Sequence, residues 1–288
     1  MLAGLFALYL LSTVAWAARW RRLLMLANLR PTLGWVWRVT MQAQAAGILL
    51  PGGLGGDALR GSSAVAAGAT LPVAVGSLLL DRAIGLATLA ALGAVAGVTM
   101  AGASNVAAIS VLACVPVAFV VGVFTLRSRL VRTSKWLDRP VLARSVKPVV
   151  EYLADDGAPR AVRGCVLLSF AVSAIQFGVN RGLIAAIGVT PASETAVYVG
   201  LTLAFTSAVI PSLPGGWGTV DAAYIYCLGL AGLSSSSALV VCMLFRLFWY
   251  LSGALGAILL VVRPAPALVP AGSSVLPDPS VNVLKAGP

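Results

Sequence analysis

Long apolar runs, separated by short basic or glycine-rich intervals, set the pattern of this chain. An apolar run from Leu2 to Ala18 is followed by Arg19, Arg21, Arg22 and Arg30. A second, less apolar run from Leu33 to Leu50 carries Arg38, Gln42 and Gln44. Leu71 to Val98 and Val106 to Leu126 are each long enough to cross a bilayer as a helix, which takes about 20 residues. The series continues with Cys165 to Ile187, Glu194 to Ile210, Ala222 to Leu233 and Ala238 to Val262. The ten-residue alternating segments of a membrane barrel are absent. The pattern predicts an all-α, polytopic helical membrane protein of seven or eight hydrophobic segments.

Composition agrees. The 288 residues are 59% hydrophobic and 10% charged, with a mean hydropathy of +0.97. Soluble domains carry about 25% charged residues. The net charge of +11 is placed by membrane topology rather than by a nucleic-acid surface. One group of arginines follows the first run. A second group, Arg127, Arg129, Arg132, Lys135, Arg139, Arg144, Lys147, Arg160 and Arg163, fills a single middle stretch. Such clusters mark cytoplasmic loops, so the basic loop 127–163 is expected on the cytoplasmic side. No stacking aromatics are interleaved with these charges, so no nucleic-acid partner is expected. Within the loop, Leu130, Leu137, Val141, Val149 and Leu153 fit either an amphipathic interfacial helix or a solvated linker. The Pro-, Ser- and Ala-rich tail, 264–288, is expected to be disordered. Ala15-Trp16-Ala17 mimics a signal-peptide cleavage site, but the basic residues follow the apolar run instead of preceding it.

Two near-copies of one phrase interrupt the apolar pattern. Leu50-Pro51-Gly52-Gly53-Leu54-Gly55-Gly56-Asp57-Ala58 is matched by Leu213-Pro214-Gly215-Gly216-Trp217-Gly218-Thr219-Val220-Asp221-Ala222. Proline stops a helix and glycine lets the backbone bend. At membrane depth, irregular backbone is tolerated only where protein buries it or it lines a wet cavity. With both basic groups inside, Leu33 to Ala69 begins and ends on the cytoplasmic side, while Glu194 to Leu233 begins and ends outside. The two phrases then enter from opposite faces, as in inverted-topology repeats with broken or re-entrant helices. A single transmembrane domain over 1–263 is expected, with halves at about 19–126 and 164–263 joined by the basic loop 127–163.

The embedded charges are the candidate chemistry. Four arginines, Arg60, Arg82, Arg181 and Arg246, face three aspartates, Asp57, Asp81 and Asp221. Ionisable residues inside a span turn toward a bundle interior or a cavity, and arginine grips phosphate bidentately. Each of these arginines therefore reads either as a headgroup contact or as a structural ion-pair partner, for instance Asp221 with Arg246. Asp57 and Arg60 share a helical face by their spacing. Arg181 can also snorkel to the interface. Asp57 and Asp221 fit a helix-capping role or a proton- or cation-coupling role. Candidate substrate contacts are therefore Arg60, Arg82, Arg246, Asp57, Asp81 and Asp221, with Gly52, Gly53, Pro214, Gly215 and Gly216 at the bends. Cys114, Cys165, Cys227 and Cys242 lie in apolar runs and form no C-x-x-C pair, and the chain has no histidine. No metal, no cofactor and no catalytic set is expected.

The order Gly47, Leu-Pro-Gly-Gly, Asp57, Arg60, Asp81-Arg82, the Ile-Pro-x-x-Pro-Gly-Gly-x-Gly run at Ile210 to Gly218, and Arg246 resembles the transmembrane flippase domain of lysylphosphatidylglycerol synthases. The same domain occurs alone in a broad family of flippase-like membrane proteins. The resemblance covers Arg19 to Val262. It implies a polytopic protein of the plasma (inner) membrane that moves, or helps to move, modified or isoprenoid-linked lipids between leaflets. It places Arg60, Asp81-Arg82, Pro214-Gly215-Gly216 and Arg246 on the family's motifs. The implied partner is a membrane lipid with an anionic headgroup or lipid phosphate. A non-transporting subunit that scaffolds a lipid or glycan biosynthesis enzyme is the alternative. The soluble aminoacyl-transferring domain is expected to be missing, and lysyl transfer is not expected. An N-terminal helix carried by longer members is also expected to be missing.

Overall fold

The computed structural model describes residues 1–49, 53–100, 147–207 and 217–262. Among these residues there are nine helices and no strand. They are α1 (Leu2–Leu26), α2 (Leu33–Leu49), α3 (Leu54–Ala66), α4 (Leu71–Met100), α5 (Lys147–Ala154), α6 (Ala158–Ala186), α7 (Glu194–Ser207), α8 (Thr219–Gly229) and α9 (Ser235–Val262). The run Val106 to Leu126, Cys114 within it, the stretch 127–146 and the tail 264–288 lie outside the described residues.

Among the described residues, four helices are long and apolar enough to cross a membrane: α1, the Leu71–Gly93 part of α4, α6 and α9. Their outward positions stay apolar, as at Leu11, Leu79, Leu167, Leu255 and Ile258. Two of them run past the ends the apolar pattern suggests. Helix α1 continues through Arg19, Arg21 and Arg22 because Trp20, Leu23 and Leu24 on the same turns are fully buried. Helix α6 starts inside the basic stretch, with a proline in its first turn, where the missing N–H removes no helical bond.

The order long, medium, short, long in α1 to α4 recurs in α6 to α9, and the local signals recur with it. Helices α1 and α6 both stop at a left-handed residue, Asn28 or Gly188. The next N–H reaches back to a carbonyl of the last turn, Leu29 to Leu24 at 3.3 Å and Val189 to Ile184 at 3.4 Å. Helices α2 and α7 both start under a hydroxyl cap, where Thr32 Oγ1 accepts from Trp35 N and Ser193 Oγ accepts from Ala196 N. Helices α3 and α8 close at Gly68 and Gly232, both left-handed, with Ala69 N to Ala64 O at 3.0 Å and Leu233 N to Leu228 O at 3.2 Å. Among the described residues, all of α1 and α6 take part in this recurrence.

The two copies interlock. Helices α1 and α6 lie antiparallel: Leu5 meets Gly182 near one end, and Arg22 meets Gly164 near the other. Helix α2 packs on α9 of the other copy, and α7 packs on α4. Each short helix is held close to the one before it through a glycine. A Cβ on Gly56 would stand 2.6 Å from the Ala43 carbonyl oxygen, and one on Gly200 would stand 2.7 Å from that of Cys227. Two buried clusters result. One joins α1, α2, α3, α4 and α5 around Trp20, Leu23, Val36 and Ile84. The other joins α6, α7, α8 and α9 with the start of α1 around Leu183, Leu201, Tyr224 and Leu228.

Within the basic stretch, residues 147–154 form a packed helix rather than a bare linker. The buried Tyr152 hydroxyl donates to Leu23 O at 3.0 Å, and desolvation holds its pKa above the ordinary tyrosine value. Tyr152→Phe is expected to lower stability by about 1 kcal/mol, read from thermal unfolding in detergent.

Candidate functional site

The first charge cluster lies where α1, α3, α4 and α6 meet. Asp81, about one third of the way along α4, is 1% exposed and takes two guanidiniums. Arg19 Nε donates to its Oδ1 at 2.7 Å, and Arg60 Nη2 donates to its Oδ2 at 2.9 Å. Trp16 Nε1 adds a third donor at 3.2 Å, and Arg19 Nη1 also reaches Ser169 Oγ at 2.9 Å. The Arg60 guanidinium lies over the Trp20 ring at 4.3 Å and near the Trp16 ring at 5.5 Å. Such a buried charge is tolerable only when paired and hydrogen-bonded.

The chain of charges continues outward to the first glycine phrase. Asp57, in the first turn of α3, accepts from Arg82 Nε at 2.6 Å. Its contact with Arg60, one turn on, is 4.0 Å, the limit of an ion pair. Asp81 and Arg82 are adjacent and point apart, Asp81 inward and Arg82 half-exposed toward Gly53. Gly53 is left-handed with φ +72° and begins α3 without a side-chain cap. Among the described residues, three guanidiniums here share two carboxylates.

The second cluster repeats the outer half of the first. Asp221, in the first turn of α8, pairs with Arg246 of α9. Its other oxygen accepts from Gly218 N at 3.0 Å, which ties down the start of the helix. Cys242 Sγ lies 3.3 Å from the oxygen that Arg246 holds, and the Trp217 ring covers the Arg246 guanidinium at 4.3 Å. The two pairs occupy equivalent positions. Asp57 and Arg82 are 25 residues apart, and so are Asp221 and Arg246. The inner pair is not repeated. In place of Arg60 and its carboxylate, Tyr224 donates a neutral hydrogen bond to Asn180 Oδ1 at 3.1 Å.

Of the sequence candidates, Asp57, Arg60, Asp81 and Arg82 come together in one cluster with Gly53 beside them. Asp221 and Arg246 form the other. Arg181 stands apart, paired bidentately with Glu194 at the α6–α7 end, both Nε–O distances being 2.9 Å. Gly52, Pro214, Gly215 and Gly216 lie outside the described residues. Each of the candidate arginines has a carboxylate partner, so the sites hold ion pairs rather than bare guanidiniums. Three residues of the first cluster, Arg19, Trp16 and Ser169, are absent from the sequence expectation. The continuation of an amphipathic face through Trp16, Trp20, Leu23 and Leu24 is the signal that carries Arg19 into the bundle. A separate cleft of about 600 Å³ opens among α4, α6 and α7, lined by Leu92, Val95, Phe170, Phe177 and Tyr198, and is apolar.

Helices with lipid-compatible surfaces, ion pairs inside the apolar spans and a doubled four-helix unit define a multi-pass α-helical membrane protein. The family model described as "Lysylphosphatidylglycerol synthase TM region" matches residues 1–256. The chain belongs to that family. No curated protein and no solved structure matches it significantly.

Proposed function

We propose that this protein moves an anionic or isoprenoid-phosphate lipid between the leaflets of the plasma (inner) membrane and does no covalent chemistry on it. The observation that carries this reading is the doubled Asp–Arg pair, set at equivalent positions beside the two glycine phrases. Arg82 is the twelfth residue of the 30-residue helix α4 and lies inside its apolar span. A charge at that depth is costly unless it opens to water or to a polar ligand. The repeat equivalence of the antiparallel helices α1 and α6 supports an inverted arrangement of the halves, the architecture that places a site between repeats. The basic stretch 127–163 would then lie in the cytoplasm. A phosphate group would enter by competing with Asp57 or Asp221 for an arginine, because bidentate Arg–phosphate and Arg–carboxylate contacts have the same geometry.

Reconstitution tests this. Vesicles containing the full chain should scramble a fluorescent phosphatidylglycerol, and Arg82→Gln should slow the rate about tenfold, the effect of one lost charge-assisted bond. Folded Arg82→Gln and Arg246→Gln proteins that both scramble at the wild-type rate would overturn the reading. Stable co-purification of an inactive chain with a lipid- or glycan-synthesising enzyme would replace it with a scaffolding role.

A further inference from the structure

The two equivalent ion pairs differ in what covers them. Four positions ahead of each aspartate stands Gly53 in one copy and Trp217 in the other. The Trp217 ring lies on the Arg246 guanidinium, and the Arg246 side chain is 6% exposed. A Cβ on Gly53 would stand 3.5 Å from Arg82 Nη2, so any side chain there would rest on the Arg82 guanidinium. With glycine in that place, the Arg82 side chain is 41% exposed and the Asp57 side chain 24% exposed.

The carboxylates differ in the same sense. Asp221 uses both oxygens at close range, one for Gly218 N and one for Arg246 and Cys242. Asp57 holds Arg82 with Oδ2, while Oδ1 reaches only the distant Arg60. Arg60 and Arg246 each keep a buried Nε with no hydrogen-bond partner, so that feature does not separate the two clusters. What separates them is charge and cover: among the described residues three guanidiniums share two carboxylates in the first cluster, which is open at its outer end, while the second pairs one with one and is covered. An arginine half-exposed within a span cannot face acyl chains without a large penalty, so its exposed part faces water or a polar group.

We propose that, of the two described ion pairs, Arg82–Asp57 is the headgroup station: it receives the phosphate oxyanion of a lipid on Arg82, Asp57 is the resident anion that the phosphate displaces, and the Arg246–Asp221 pair is a copy kept shut by Trp217. This deepens the translocation reading and rests on it for its role in transport, but it is measured by binding alone. Asp57 weakens binding by competing with the ligand, which is the opposite of what a ligand-contacting residue does. Trp217 limits the stoichiometry.

The test is equilibrium binding to the purified full chain in non-ionic detergent, with phosphatidylglycerol as one probe and inorganic phosphate as the other. Bound lipid is counted by native mass spectrometry and affinity is taken from titration. The wild type should bind one phosphatidylglycerol. Arg82→Gln should weaken it about tenfold or more, and Asp57→Asn should tighten it severalfold, in line with the worth of charge-assisted bonds. Trp217→Gly should admit a second molecule that Arg246→Gln removes. Asp57→Asn moves affinity upward, so a merely damaged fold cannot imitate it. Unchanged affinity in both Arg82→Gln and Asp57→Asn, or wild-type binding lost through Arg246→Gln in place of Arg82→Gln, overturns the assignment. A single bound lipid in Trp217→Gly overturns the shut copy. Inorganic phosphate binding as tightly as the lipid overturns the lipid as the ligand. The expected binding pattern in a chain that scrambles nothing would sink the transport reading and leave the station standing.

Discussion

Asp81→Asn is expected to destabilise the detergent-solubilised protein by about 3–5 kcal/mol, the cost of removing one partner from a buried charge cluster. Two guanidiniums depend on this carboxylate, and both are nearly as buried as it is. After the substitution the amide oxygen can accept from one guanidinium and the amide NH2 faces the other, so either Arg19 is left with Ser169 or Arg60 with two tryptophan faces and a 4.0 Å approach to Asp57 among the described side chains. Cation–π contact at a desolvated site is worth about 2 kcal/mol, which does not replace a carboxylate. Asp57→Asn provides the contrast. Its main partner Arg82 is substantially exposed, and pairs of that kind contribute about 0–1 kcal/mol. Thermal unfolding of both variants in one detergent decides the matter. Equal melting temperatures for the two would show that Asp81 does not organise the bundle.

Gly256→Leu is expected to cost about 3 kcal/mol or more, at the upper end for overpacking, because the obstruction is backbone. Helix α9 crosses α2 at this glycine, where a Cβ would collide with the Met41 carbonyl oxygen and stand 3.1 Å from Gln42 N. The crossing is fixed on both sides. Ser252 Oγ donates to Gln44 Oε1 at 2.5 Å, and Gln42 Nε2 donates to Leu259 O at 3.2 Å. Small residues that let backbones approach are a main source of helix association in lipid. Gly178→Ala in α6 is the control. No described atom lies within 4 Å of where its Cβ would go, and replacing a mid-helix glycine by alanine gains about 0.5–1 kcal/mol. If Gly256→Leu melts with the wild type, the α2–α9 crossing is looser than these contacts state.

Local signals carried most of the fold into view. The apolar runs foretell the long helices, and the proline–glycine phrases mark where α3 and α8 begin. The pairing of Asp221 with Arg246 is also legible as one of two readings. What local signals could not supply is tertiary. Asp57 and Arg60 have the spacing to meet on one helix face, yet their principal partners are on α4, reached through packing that no spacing encodes. Arg19 reads as the end of an apolar run because Arg21 and Arg22 follow it. Only the burial of Trp20, Leu23 and Leu24 shows that the helix continues inward there. The repeat of the ion pair was present in the sequence as two equal intervals from aspartate to arginine. Aligning the phrases from their prolines hides it, because one copy carries an additional residue before its aspartate.

Because α2 leans on α9 and α7 leans on α4, neither copy of the four-helix unit contains the surface that completes its own medium helix. Cutting the polypeptide between residues 127 and 146 should therefore yield two fragments that are each degraded when made alone. Made together, they should re-form one stable membrane particle. Fragment complementation of this kind follows from reciprocal domain clasping, and it would make the duplicated unit an obligate pair rather than two autonomous modules.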